Sequence, residues 1–220
     1  MFPNVDWQVM FEETWETLYM TLVAGAATFV IGLALGMLLY VTNEPLMMKN
    51  RPIYTVISAI VNVFRSIPFI ILIILLIPFT LLVVGTMLGS TAALPALIIG
   101  AAPFYARMVE LALREVDRGV IEAAESMGAT KWQIVYKVLF PEALPAIVSG
   151  ITVTIVAIVG YTAMAGVVGG GGLGNLAFLE GFQRSQNDVT FVATVLILII
   201  VFVIQFIGDR LVSKIDKRSA

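Results

Sequence analysis

Residues 17–41 run without a single charged side chain, TLYMTLVAGAATFVIGLALGMLLYV, and that run constrains the fold more than anything else in the chain. A helix needs roughly 20 apolar residues to cross the hydrocarbon core of a bilayer, and this stretch exceeds that length. Trp15 and Tyr19 stand at one end and Tyr40 at the other, where aromatic rings mark the two membrane interfaces. Runs of similar character recur at 67–84, 92–109, 143–168 and 189–208. The sequence therefore predicts an all-α integral membrane protein with five transmembrane helices. Composition agrees: 60% of the residues are hydrophobic and 13% charged, against about 25% charged in soluble domains.

The basic residues give the orientation. On a five-span reading, Lys49, Arg51, Arg107, Arg114, Arg118, Lys131, Lys137, Arg210, Lys214, Lys217 and Arg218 share one side, while Arg184 alone lies on the other. Arg65 falls in an ambiguous span. Lys and Arg concentrate on the cytoplasmic side, so the expected topology is N-out and C-in. Residues 1–16 carry Asp6, Glu12, Glu13 and Glu16 with no Lys or Arg, unlike a secretory signal peptide, and are read as an external segment. Residues 17–209 form the expected transmembrane domain and 210–220 a cytoplasmic tail.

Chemistry is narrowed by what is missing. The chain has no cysteine and no histidine, which removes thiolate and imidazole metal sites and the usual Cys or Ser-His nucleophile systems. No catalytic, cofactor-binding or metal-ligating residue is assigned. The glycine run 169–174 is not a phosphate loop, because no Lys-Ser/Thr follows and a membrane helix precedes it. It is expected to make a flexible external turn that lets the backbone fold back on the helix ends or meet an external partner. Nothing supports nucleic-acid binding.

Several local features can be placed on this frame. Gly32 and Gly36 make a small-xxx-small pattern in span one that permits close helix approach. Span two has two readings: an early start that takes Arg65 deep, or an interfacial segment 53–64 followed by a crossing at 67–84, kinked at Pro68 and Pro78. Arg65 is either a pathway or helix-anchoring residue or a side chain snorkelling to the surface. Glu110 and Arg114 are one turn apart and suit an ordinary ion pair. Tyr161, Met164 and Val168 share a face of span four, so Met164 is either a gate facing a second copy or a packing residue.

One long polar interval, between spans three and four, is not written like a loop. Asp117 suits an N-cap for a helix over 120–127, and Gly128 suits the C′ position that ends it. Thr130 and Gln133 have capping-box spacing, and Trp132, Ile134, Val135, Val138 and Leu139 supply apolar surface before Pro141, which should stop the second helix. The result is a compact helical knob at the membrane face, carrying Glu122 and Glu125. On the helix pattern alone it either docks in a partner's groove or rests on lipid headgroups.

The full string Glu122-Ala123-Ala124, with Gly128 six residues after Glu122 and an apolar-x-Pro ending at Pro141, resembles the EAA signature of type I ABC-importer permease subunits. Phe64-Arg65-Ser66-Ile67-Pro68-Phe69, Gly100-Ala101-Ala102-Pro103-Phe104 and Ala106-Arg107-Met108-Val109-Glu110 extend the likeness, as do Val159-Gly160-Tyr161 with Ala163-Met164, Gly171-Gly172-Leu173-Gly174, and Gln205-Phe206 with Gly208-Asp209-Arg210. Together they resemble the permease of bacterial methionine importers. The resemblance implies that segment 117–140 is a coupling helix, with Glu122, Ala123, Ala124, Glu125 and Gly128 meeting a cytoplasmic ATPase. It also implies a homodimer, two ATP-binding subunits, an external substrate-binding protein and residence in the bacterial cytoplasmic (inner) membrane. ATPase activity is then expected on a separate subunit, with no cofactor in this chain.

Arg65, Ser66, Tyr161 and Met164 are the pathway or gate candidates. The absence of a mid-span carboxylate argues against an ion-coupled carrier. Other amino-acid or osmolyte ABC importers share the same logic, and a passive channel or membrane scaffold is the reading from a different class.

Overall fold

A computed structural model describes residues 2–45 and 47–216, so Lys217 and Arg218 of the expected tail lie outside the described residues. Helix α1, Trp7–Asn43, starts ten residues before the apolar run because the Asp6 side chain accepts from the Gln8 and Val9 amides and caps it. At 1.5 Å per residue it is ~55 Å long, well beyond the ~30 Å hydrocarbon core, so its first turns project from the bilayer.

The second apolar stretch is not one helix. Amphipathic α2, Arg51–Ser66, ends at a break and turns by 106° into α3, Phe69–Leu75. Pro68 sits at the break, and α4, Ile77–Val84, opens with Pro78 in its first turn, so each proline occupies a position where its missing N–H costs nothing. Helix α5, Ser90–Arg114, follows.

Short α6, Arg118–Ser126, and α7, Lys131–Ile134, form the knob. Beyond it the chain does not stop at Pro141. A π-helical turn, Val135–Leu139, in which the Phe140 amide donates to the Val135 carbonyl, leads straight into α8, Phe140–Val167. The wider turn removes the clash that a proline ring makes with the carbonyl four residues back. Knob and span are consequently one rod, Lys131–Val167. Helix α9, Gly172–Leu176, passes through a second π turn, Ala177–Gln183, before α10, Asn187–Ile215, completes the bundle. No strand occurs among the described residues.

Helices α1 and α5 lie side by side and parallel. A Cβ at Gly32 would meet the Ala102 carbonyl at 2.9 Å, and one at Gly36 the Ala106 carbonyl at 2.5 Å, so the small-xxx-small pattern packs against α5. Helix α8 runs antiparallel to both, with Gly150 against Met108 and Tyr105 and with Ile155 against Gly25. Helix α10 runs antiparallel to α8, with Gly208 against Thr152.

The glycine run is packed rather than flexible. A Cβ at Gly174 would stand 2.4 Å from the Ala163 Cα, and one at Gly171 would stand 2.1 Å from a Glu16 oxygen. The Gly172 and Leu173 amides donate to Glu16 (3.2 Å) and Thr17 (2.8 Å), which fastens the start of α9 to the projecting end of α1. Leucine in place of Gly174 is expected to unseat this loop. Proteolysis of intact membrane vesicles should then detect new cleavage between α8 and α10.

Candidate functional site

The knob is built from local chemistry. Asp117 accepts from the Gly119 amide at 2.6 Å and starts α6. At the other end the Gly128 amide donates to the Glu125 carbonyl (2.9 Å) and the Ala129 amide to Ala124 (3.1 Å), with Gly128 at φ +83°, which is a Schellman closure. The Thr130 and Gln133 capping box is formed in both directions. Alanine at 128 would meet no neighbouring atom within 4 Å, so Gly128→Ala should cost only the left-handed backbone penalty, about 1 kcal/mol. Thermal unfolding of the purified chain would show that loss, and asparagine at the same position should recover part of it.

One side of the knob is rooted and the other is bare. Ile121, Ala124, Ile134, Val135 and Leu139 are buried in a core shared with Val109 and Leu113 of α5, Ala143 and Ile147 of α8, and Tyr40 of α1. Arg118 pairs with Glu44 at 3.2 Å, adding a tie to the end of α1. Outward, Glu122, Ala123 and Gly128 are exposed, together with Met127 at 82%, Trp132 at 67% and Tyr136 at 56%. Ala124 therefore helps to seat the knob and is not on its outer surface. Glu125 pairs with Lys131 at 2.5 Å. That leaves the Glu122 carboxylate, with no hydrogen-bond partner among the described residues, as the acid presented outward.

Sequence reasoning places Met127 with Ala123 and Ala124 among the small or apolar residues of a helix surface that can sit in a partner's groove, but it did not single out Tyr136. The signal was present: Met127 and Tyr136 are both large apolar or aromatic groups beside the polar acids of a short amphipathic helix. Exposed groups of this size, next to a carboxylate and on a surface too small to bury them itself, have the make-up of a partner contact.

A polar cluster continues from the root of the knob into α2. Glu110 is fully buried and is shared by Arg107 and Arg114. Tyr54 donates to Glu110 at 3.5 Å and accepts from Arg114 at 3.4 Å, while Arg107 reaches Asn62 at 3.0 Å and Ser58 at 3.5 Å. The Glu110–Arg114 pair was readable from the sequence. Arg107 and the α2 stripe of Tyr54, Ser58 and Asn62 were not assigned, although their i, i+4, i+8 spacing places them on one face.

The pathway candidates separate into two groups. Arg65 and Tyr161, distant in sequence, line the same cavity of about 230 Å³ between α2, α3, α5 and α8. The Tyr161 ring stacks on Phe69 with centroids 4.5 Å apart, and the Arg65 guanidinium lies 6.0 Å from the Phe104 centroid. Ser66 donates to the carbonyl of Asn62 in its own helix, and Met164 is exposed on α8; neither lines that cavity.

A bundle of bilayer-length helices, broken in its second span and carrying a rooted knob at its basic end, defines a multi-pass α-helical membrane protein. Residues 29–220 match the family described as binding-protein-dependent transport system inner membrane component. The methionine import system permease protein MetP of Bacillus subtilis (strain 168) is 61% identical over 217 residues, covering 99% of this chain and 98% of that protein. The D-methionine transport system permease protein MetI of Escherichia coli (strain K12) is 57% identical over 152 residues, covering 69% of this chain and 70% of that protein. A chain from an inward-facing structure of the MetNI methionine ABC transporter superposes with a TM-score of 0.93 at 50% identity, covering 96% of this chain and 97% of that one. The chain belongs to the binding-protein-dependent transport system inner membrane component family, as an ABC-importer permease.

Proposed function

We propose that this chain imports methionine by alternating access, as one of two permease copies driven by two cytoplasmic ATP-binding subunits and supplied by an external substrate-binding protein. The orientation is N-out and C-in, with residues 1–16 outside, 17–209 forming the transmembrane domain and 210–220 a cytoplasmic tail. The knob, 117–140, is the coupling segment, and ATP hydrolysis belongs to the partner subunits. Arg65, Ser66, Tyr161 and Met164 belong to the pathway or its gate. Relatives named for methionine import support the substrate, and the basic end of the bundle supports the orientation.

The observation that carries this reading is the architecture of the knob. Its outer surface offers Glu122, Met127 and Trp132, while its inner surface shares one core with α1, α5 and α8. A rigid body seated this way passes displacement to three membrane helices, because packed cores deform little. When the ATP-binding subunits close, the two knobs approach and the paired helices open outward; hydrolysis reverses the motion.

Glu122→Lys tests the assignment. The variant should insert and fold normally, since this carboxylate makes no hydrogen bond or ion pair among the described residues, yet lose co-purification of the ATP-binding subunits or ATP-driven methionine uptake. Full uptake by the variant would overturn the coupling role.

A further inference from the structure

We propose that the cavity between α2, α3, α5 and α8 is a solute site that reads a free carboxylate, with Arg65 as the residue that holds it. The proposal rests on the transport reading above and adds to it the group by which a transported solute is recognised within the membrane domain. Arg65 stands at the end of α2, next to the 106° break, and donates no hydrogen bond and meets no acid among the described residues. The other arginines of this region, Arg107 and Arg114, both share Glu110. Arg65 lies exposed in the last turn of α2 with only the Phe104 ring beside its charge, and a cation with no acid to pair with in a membrane domain is a mark of solute and ion pathways. Its planar fork matches a carboxylate in two hydrogen bonds.

The rest of the cavity sets the remaining preferences. At about 230 Å³ it is smaller than the roughly 300–1,000 Å³ of drug-sized pockets, so it suits one amino-acid-sized solute. The stacked Phe69 and Tyr161 rings make a flat wall, and Phe104 stands beside the guanidinium. Aromatic walls favour an unbranched thioether chain through sulfur contacts. No carboxylate lines the cavity, so an ammonium group finds no ion-pair partner there. The site therefore requires the solute's carboxylate and tolerates loss of the charge on its amine.

The chain contains no cysteine, so Ile67→Cys places one thiol at the cavity wall. With the complex of this permease and its ATP-binding subunits in detergent, a fluorescent maleimide can be timed on this chain's band. L-methionine and N-acetyl-L-methionine should slow labelling at least threefold, and L-methioninamide should not. Adding Arg65→Gln should abolish the protection, and Arg65→Lys should keep part of it. Equal protection by all three compounds, no protection by methionine, or protection that survives Arg65→Gln would each overturn the proposal. Slowing by phosphatidylglycerol alone, dependent on Arg65, would assign the guanidinium to a lipid phosphate and overturn it as well. ATP-driven methionine uptake by the wild-type complex in liposomes is scored separately, so a failure of the transport reading is distinguishable from a failure of the site.

Discussion

Leucine in place of Gly36 is expected to prevent the bundle from assembling, so that little or no folded chain is recovered from membranes. The α1–α5 contact leaves no room for a side chain there: a Cβ alone would stand 2.5 Å from the Ala106 carbonyl oxygen and 2.6 Å from the Val109 Cβ. One of those obstacles is backbone and the other is a β-branched side chain in a fixed rotamer, so neither can swing away. The helices would have to separate, and with them the packing that drives helix association in lipid. Overpacking costs 1–3 kcal/mol or more even where neighbours can shift. The control is Ala34→Leu, two residues away on the exposed side of α1, which should leave the yield and the unfolding midpoint near wild type. Size-exclusion chromatography of detergent extracts reads both variants.

The second large effect is expected at Glu110. Alanine there removes the shared acid between Arg107 and Arg114 and leaves two guanidinium groups facing a buried site. Breaking a buried ion pair from one side costs about 3–5 kcal/mol, which at this chain length lowers the unfolding midpoint by roughly 10 °C. The loss has a direction, because Tyr54, Ser58 and Asn62 hold α2 through the same cluster. Hydrogen exchange should therefore rise in α2 before it rises in α8. Combining Glu110→Ala with Arg107→Ala should recover part of the loss, since one unpaired charge leaves with the acid that matched it.

What the sequence revealed and what it concealed divides along the range of the interactions. Asp117, Gly128, Thr130 and Gln133 were legible because a cap is a contract among residues within one turn. Gly32 and Gly36 announced a close approach, but not that α5 would make it. Pro141 misled, because the rule that proline ends a helix holds for α geometry, and a π turn absorbs the ring. The early start of α1 was hidden by Glu12, Glu13 and Glu16, which look soluble but lie on a helix that Asp6 had already capped.

Residue faces were legible only in part. Ala123 and Ala124 are neighbours of identical type, and only the core beneath the knob decides that the second is buried. That Arg65 and Tyr161 line one cavity depends on the break at Pro68, which leaves the end of α2 against α5 while α3 packs on α5 and α8. No local pattern encodes that juxtaposition.

The most direct measurement places a single thiol at Met127, the most exposed apolar residue of the knob, in this cysteine-free chain. Intact cells or right-side-out vesicles carrying Met127→Cys together with the ATP-binding subunits would be treated with a membrane-impermeant maleimide, and inverted vesicles with a short bifunctional crosslinker. The account predicts no labelling from outside and a crosslinked product joining this chain to an ATP-binding subunit. Labelling from outside, or a knob reachable from within that never crosslinks to that subunit, would contradict it.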